Sequence, residues 1–195
     1  MARVSVVERA TGETDIRLEL QLDGSGTHSI STGIPFFDHM LTLFAVHGSF
    51  DLTLRATGDV DVDLHHTVED VGLVLGEALD QALGDRAGIR RYGHAVVPMD
   101  ETLSTVTLDL SRRPLLVYHV PDTRAGGGPV DVILAKEFFR AVASRAGITL
   151  HVNTAYGENL HHIVESIFKA FGRALDEAVS SDARVRGVRS SKGVL

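Results

Sequence analysis

Two short runs carry the residues best suited to chemistry, Leu64-His65-His66-Thr67-Val68-Glu69 and Leu160-His161-His162-Ile163-Val164-Glu165. Aligned without gaps from Leu64 on Leu160 to Leu83 on Val179, the segments agree at ten of twenty positions: Leu64, His65, His66, Val68, Glu69, Gly76, Ala78, Leu79, Asp80 and Ala82. On a helix, residues three or four apart share a face, so each glutamate can lie beside both of its histidines. Two imidazoles and a carboxylate at a helix end make a set of borderline metal ligands. One copy of so short a motif reads more readily as a helix cap or a half-buried polar cluster than as a ligand set. Two copies at matched positions read as an internal duplication holding two metal sites.

The elements that must position these runs follow from periodicity. Arg3 to Glu8 reads as a strand and Ala10 to Thr14 as a turn. Ile16, Leu18, Leu20 and Leu22 alternate with polar residues, as in a strand with one buried face. Asp23-Gly24 signals a hairpin with His28 to Ser31 as its return strand. Pro35 opens a helix over Phe36 to His47, and Gly48 stops it. Phe50, Leu52 and Leu54 alternate as a further strand, and Asp59, Asp61 and Asp63 are expected on the solvated side of a strand. The first duplicated helix runs to about Leu83, ended by Gly84 to Gly88.

The second half repeats this plan. Strands are expected over Arg91 to Pro98, Leu103 to Leu110 and Leu115 to Val120, then a flexible Pro121 to Pro129 loop containing Gly126, Gly127 and Gly128. A helix from about Asp131 to Ala146, a strand over Thr149 to Val152 and the second duplicated helix from about His161 to Ser180 complete it. The expected fold class is α+β: duplicated half-domains, each a β-sheet with two helices packed on one face. Residues 1–195 then form one domain of two pseudo-repeats, about 1–88 and 89–195.

Composition narrows the function. At 195 residues with 23% charged and 44% hydrophobic residues, the chain can bury a substantial core. A net charge of -7 argues against a general nucleic-acid binder. No apolar run reaches membrane-spanning length and no signal-peptide pattern opens the chain, so a cytoplasmic protein is expected. The absence of cysteine excludes thiolate sites and leaves the ten histidines and the carboxylates as ligands, which favours Mn, Fe or Zn.

Symmetry extends the ligand set. Shifted by 98, the His39 to Ala45 stretch falls on Glu137 to Ala143, so His39 corresponds to Glu137. Each half then offers a His-His-x-x-Glu helix and one further ligand, eight groups for two metals, with positions left open for substrate. The basic end, Arg184, Arg186, Arg189 and Lys192 with Ser190, Ser191 and Gly193, reads either as a disordered terminus or as an anion clamp. Hydroxyls and backbone N–H groups beside a cation suit phosphate, as do arginine forks such as Arg91 and Arg113.

Long motifs in chain order resemble the imidazoleglycerol-phosphate dehydratase family: Phe36-Phe37-Asp38-His39-Met40-Leu41 with His47-Gly48, Asp63 to Asp70, and Pro98-Met99-Asp100-Glu101. Ser111-Arg112-Arg113-Pro114, Gly147 to His151, His161 to Glu165 with Phe168 to Phe171, and Ser190 to Gly193 continue the match. The resemblance implies a ribosomal protein S5 domain 2-like fold and dehydration of an imidazole-glycerol phosphate in histidine biosynthesis. It implies two Mn²⁺ ions per active site, and a 24-subunit homo-oligomer with active sites at subunit contacts. The matched metal positions are His39, His65, His66, Glu69, His161, His162 and Glu165. Glu137 stands where many members carry histidine. Glu13 matches the acid/base candidate, and His47 lies among the substrate-site residues. Glu13, His39, His47, His65, Glu69, His161, Arg91, Arg113, Ser190, Ser191 and Lys192 match substrate or phosphate contacts. His151 reads as a strand residue outside the site. A dinuclear metal phosphoesterase and a non-catalytic, metal-stapled assembly protein are the competing readings. The phosphoesterase would call for a more Asp-rich ligand set.

Overall fold

Strict alternation builds the sheets. β1 (Val4–Ala10) and β2 (Thr14–Gln21) pair antiparallel, with Ile16, Leu18 and Leu20 turned into the core. β3 (His28–Ser31), helix α1 (Pro35–His47) and β4 (Asp51–Gly58) follow, and then helix α2 (Leu64–Leu83). The second half contains β5 (Tyr92–Met99), β6 (Thr102–Asp109), β7 (Leu115–His119), α3 (Val132–Ala146), β8 (Thr149–Tyr156) and α4 (Leu160–Val179). The structure, a computed structural model, describes residues 3–121 and 131–195, so the glycine-rich loop beyond Pro121 lies outside the described residues.

Each half forms a four-stranded sheet of the same topology, ordered β1-β2-β4-β3 and β5-β6-β8-β7. The fold is α+β with duplicated half-domains. The first strand pair repeats at a shift of 88 (Thr14 to Thr102), α1 and β4 at 98 (Asp51 to Thr149), and α2 at 96 (Leu64 to Leu160). The step from 88 to 98 falls between β7 and α3, and the step to 96 reflects a five-residue β4–α2 loop against a three-residue β8–α4 loop.

Two expectations are corrected. β3 is not a hairpin partner of β2; it lies parallel to β4 at the sheet edge, with β4 between the two. The Asp51 carboxylate accepts the N–H groups of Ser25 (2.8 Å) and Thr27 (2.9 Å), which leads the chain past β4 before β3 begins. Asp59 to Asp63 form a turn rather than a strand face. Val62 N–H and Asp63 N–H both return to the Asp59 carbonyl, and Asp63 caps α2.

The four helices lie between the two sheets and pair across the halves, α1 with α4 and α2 with α3. Buried residues of both halves form one hydrophobic cluster. Phenylalanines join them, with ring centroids 5.4 Å apart for Phe37–Phe138 and 5.3 Å for Phe44–Phe171. Burying apolar area of this kind is the main favourable contribution to folding.

Candidate metal and phosphate sites

Each duplicated helix begins with a side-chain cap that satisfies its first N–H groups. Asp63 accepts from His65 N–H at 2.9 Å, and Asn159 accepts from His161 N–H at 2.9 Å. The histidine pair therefore occupies the first turn, and the glutamate follows one turn later.

In the second half this turn meets α1. His161 Nε2 lies 3.0 Å and His39 Nε2 3.3 Å from Glu165 Oε2, and the three ligand atoms fall within 4.8 Å of one another. Phe36 sets its ring edge-on to His161 at 5.2 Å. Lys169 Nζ sits 2.6 Å from Glu165 Oε1, so a single carboxylate oxygen faces the histidines. Burial raises the pKa of Glu165, whose side chain is 8% exposed. The bonds from Lys169, His161 and His39 outweigh it and hold the carboxyl below its usual range.

These donors fit a divalent ion. An octahedral ion with bonds of about 2.1 Å sets neighbouring ligands about 3.0 Å apart. The two imidazole–carboxylate separations match that span. Two histidines and one carboxylate suit a borderline cation. Asp38 supports the geometry by accepting the Thr32 N–H (2.8 Å) and hydroxyl (2.6 Å) at the start of α1, one residue before His39.

The first half is arranged differently. His65 Nε2 lies 3.4 Å from Glu69 Oε2. Glu137, the counterpart of His39, instead accepts from Arg140 at 2.6 Å. Among the described residues it does not gather with His65 and Glu69 as His39 does with His161 and Glu165. His66 Nδ1 faces Asp59, at 3.0 Å from Oδ2, and this bond raises the His66 pKa. Glu13 Oε2 stands 3.8 Å from the same nitrogen. It is brought there by the Thr14 hydroxyl, which donates to the buried Asp70 of α2 at 2.5 Å.

A third group lies around β5 and the C-terminal segment. Arg91, Tyr92, Arg113, Ser190, Ser191 and Lys192 line a cleft of about 640 Å³. Arg91 donates twice to Asp109 (2.6 and 2.9 Å) and once to the Arg189 carbonyl (2.6 Å), so it fastens the terminal segment beside the cleft. Arg113 is 70% exposed, with its guanidinium 3.7 Å from Asp109 Oδ2. His47 sits apart, eight residues beyond His39 and about 12 Å further along α1. It shares a depression with His94, Arg173 and Asp176, and burial followed by the nearby Lys169 and Arg173 charges lowers its pKa. One chain therefore gathers His39, His161 and Glu165, and the cleft of Arg91, Arg113, Ser190, Ser191 and Lys192 is lined by none of them.

Sequence reasoning passed over three groups at these sites: Asp59, Glu101 and Lys169. Glu101 accepts His162 Nδ1–H at 2.7 Å. Its position was legible, since Glu13 shifted by 88 is Glu101, and Lys169 lies one helical turn beyond Glu165. Asp59 was masked by its place in an alternating acidic run.

The sequence profile of the family described as imidazoleglycerol-phosphate dehydratase matches residues 32–175. The chain is 57% identical over all 195 residues to the imidazoleglycerol-phosphate dehydratase of Geobacter sulfurreducens, covering 100% of both chains. It is 60% identical over 193 residues to that of Syntrophobacter fumaroxidans, covering 99% of this chain and 98% of the relative. The chain belongs to the imidazoleglycerol-phosphate dehydratase family. It is accordingly an enzyme, a dehydratase of histidine biosynthesis. Among solved members of the family, the crystal structure of the Staphylococcus aureus dehydratase shares 37% identity at a TM-score of 0.82, covering 92% of this chain and 99% of that one. The Pyrococcus furiosus enzyme, crystallised in complex with (S)-C348, shares 39% identity at a TM-score of 0.85, covering 97% and 100%. The His39, His161 and Glu165 group is compatible with metal use in this dehydratase.

Proposed function

We propose that the chain removes water from D-erythro-1-(imidazol-4-yl)glycerol 3-phosphate to give 3-(imidazol-4-yl)-2-oxopropyl phosphate, with two Mn²⁺ ions per active site. The observation that carries this reading is the convergence of His39, His161 and Glu165 at the start of one duplicated helix, with a second His-His-x-x-Glu turn in the other half. His39, His65, His66, Glu69, Glu137, His161, His162 and Glu165 are the residues that hold the ions. Bound there, the ions supply Lewis acidity that polarises an imidazole ring and stabilises charge developing on it.

The chain's own residues do the rest. The proton to be lost lies beside an imidazole rather than a carbonyl and is only weakly acidic, so a positioned base is needed. Glu13 is suited to that role: its side chain is 57% exposed at the rim of the His66 turn and makes no hydrogen bond among the described residues. His47, kept neutral at physiological pH by its lowered pKa, is the second group able to move a proton. Arg91 fixes the terminal segment, and Arg113, Ser190, Ser191 and Lys192 offer cations, hydroxyls and N–H groups to the phosphate. The candidate metal group and the cleft share no residue, which supports active sites completed at contacts between copies; the resemblance to the family implies a 24-subunit homo-oligomer. In this reading the whole chain, pseudo-repeats about 1–88 and 89–195, acts as one catalytic domain in the cytoplasm. The net charge of -7 speaks against nucleic acid as a partner. Among the described residues no helix is long and apolar enough to cross a membrane.

The test is turnover of imidazole-glycerol phosphate by chelator-treated protein, with and without added Mn²⁺. Activity restored by Mn²⁺ supports the reading, and an inert, fully metallated protein overturns it. Sizing the same samples tests whether metal also drives assembly, as ligand sets shared between copies predict.

A further inference from the structure

The two halves hold the second histidine of each pair in the same way but with carboxylates from different places. His162 Nδ1 lies 2.7 Å from Glu101 Oε2, and His66 Nδ1 lies 3.0 and 3.1 Å from the two oxygens of Asp59. An ionised carboxylate only accepts hydrogen bonds, so each neutral ring carries its proton on Nδ1 and its lone pair on Nε2, which on His162 lies 3.6 Å from Asp100 Oδ2. That is the tautomer a metal ligand needs.

Glu101, in the β5–β6 turn, is the counterpart of Glu13 in the β1–β2 turn, by the shift of 88 that relates those strands. A register shift in β8 opposite Leu103 and Ser104 raises the local shift from 98 to 99. Gly157 therefore matches Gly58 (a Cβ would meet Thr102 on the first and Thr14 on the second), and Asp59 has Glu158 as its counterpart. Glu158 does not take over the task of Asp59: among the described residues the carboxylate on His162 Nδ1 is that of Glu101, and Glu158 contributes its N–H to Glu101. The shorter β8–α4 loop instead presents its N–H groups to Glu101, whose Oε1 accepts from Glu158 (3.1 Å) and Asn159 (2.9 Å). In the first half Asp59 occupies Nδ1 of His66, and Glu13 stands off at 3.8 Å with its carboxylate unengaged among the described residues.

We propose that Glu101 and Asp59 are positioning residues that fix the tautomers of His162 and His66, and that Asp59, by taking this task in the first half, frees Glu13 to move a proton. The inference rests on the metal-dependent dehydratase reading above. The duplication supplied two equivalent turn glutamates; one became a histidine anchor, and the other was released by an aspartate from the longer loop.

Mn²⁺ affinity and stoichiometry of the chelated and reloaded full chain, measured by equilibrium dialysis with Mn²⁺ electron paramagnetic resonance, test this alongside kcat. Glu101→Gln keeps the shape of the turn. Its amide oxygen is claimed by the two backbone N–H groups, so its NH₂ faces His162 Nδ1 and forces the proton onto Nε2. Mn²⁺ binding at one site is expected to weaken about 10–100-fold. Glu13→Gln is expected to leave Mn²⁺ binding within about twofold, on the same basis, while kcat collapses. Asp59→Ala is expected to keep its Mn²⁺, because Glu13 can close onto His66, but to lose turnover. Adding Glu13→Gln to Asp59→Ala should then weaken Mn²⁺ binding as Glu101→Gln does. The proposal is overturned if Glu101→Gln binds Mn²⁺ normally while His162→Ala does not, or if Glu13→Gln alone weakens binding as much as Glu101→Gln. Normal Mn²⁺ binding by both His162→Ala and His66→Ala sinks the metal-site reading itself, and this inference with it.

Discussion

Gly172 lies so close to the backbone of α1 that a Cβ on it would stand 2.6 Å from the carbonyl oxygen of Phe44. The counterpart contact, Gly76 against the Val142 carbonyl at 2.7 Å, draws α2 onto α3. The α1–α4 contact brings His39 to Glu165, since His39 lies about one and a half turns before Phe44 and Glu165 about two turns before Gly172. Gly172→Ala must push these helices apart and is expected to cost about 1–3 kcal/mol. Denaturant unfolding of the chelated protein reads that loss, and Mn²⁺ affinity should fall with it. Gly76→Ala should cost a similar amount while affecting the His39 group less. Equal metal loss at the His39 site in both variants, read with the first-half ligands His65 and His66 replaced by alanine, would contradict this division of labour.

Lys192 lines the same cleft as Arg113, Ser190 and Ser191. A charge-assisted bond to a phosphate oxygen contributes enough that Lys192→Ala should raise KM by about 10–100-fold. Metal content should be unchanged and kcat should fall much less. A kcat loss at constant KM, read from steady-state kinetics, would remove Lys192 from substrate binding.

Arg86 joins the linker to the second half. Its buried side chain donates to Asp80 (2.6 Å) and to the carbonyls of Ala146 (2.5 Å) and Gly147 (3.3 Å). Arg86→Ala leaves those carbonyls without their donor and opens a cavity, a loss of about 3 kcal/mol. A variant that melts like the parent in thermal scans would show that water replaces the guanidinium.

Asp176, beside His47 and Arg173, has its pKa raised by burial, against the opposing Arg173 and Arg90 charges. A carboxyl whose folded pKa exceeds its unfolded pKa stabilises the fold below the unfolded value, 3.8, and that contribution is lost as pH rises through the folded pKa. Asp176→Asn should therefore melt higher than the parent at pH 7. The gain should shrink as pH falls through the carboxylate range. A gain independent of pH would point to packing rather than charge.

The duplicated turn, the His39–Glu137 equivalence and the alternation of Ile16, Leu18 and Leu20 were legible because local spacing dictates which residues share a face. The solvated reading of Asp59 and the hairpin reading of β3 failed because each depends on a partner distant in sequence. Asp59 acquires its role from a ring on the next helix, and β3 from an edge that β4 creates. Sequence alone thus determined the elements, the duplication and the candidate ligand types. Tertiary structure decided which ligands meet. Helix pairing across the halves carries His39 to Glu165, 126 positions away, while Arg140 engages Glu137. Which helix lies against which is set by core packing around Gly76, Gly172 and the phenylalanines, a property of the whole chain that no local pattern encodes.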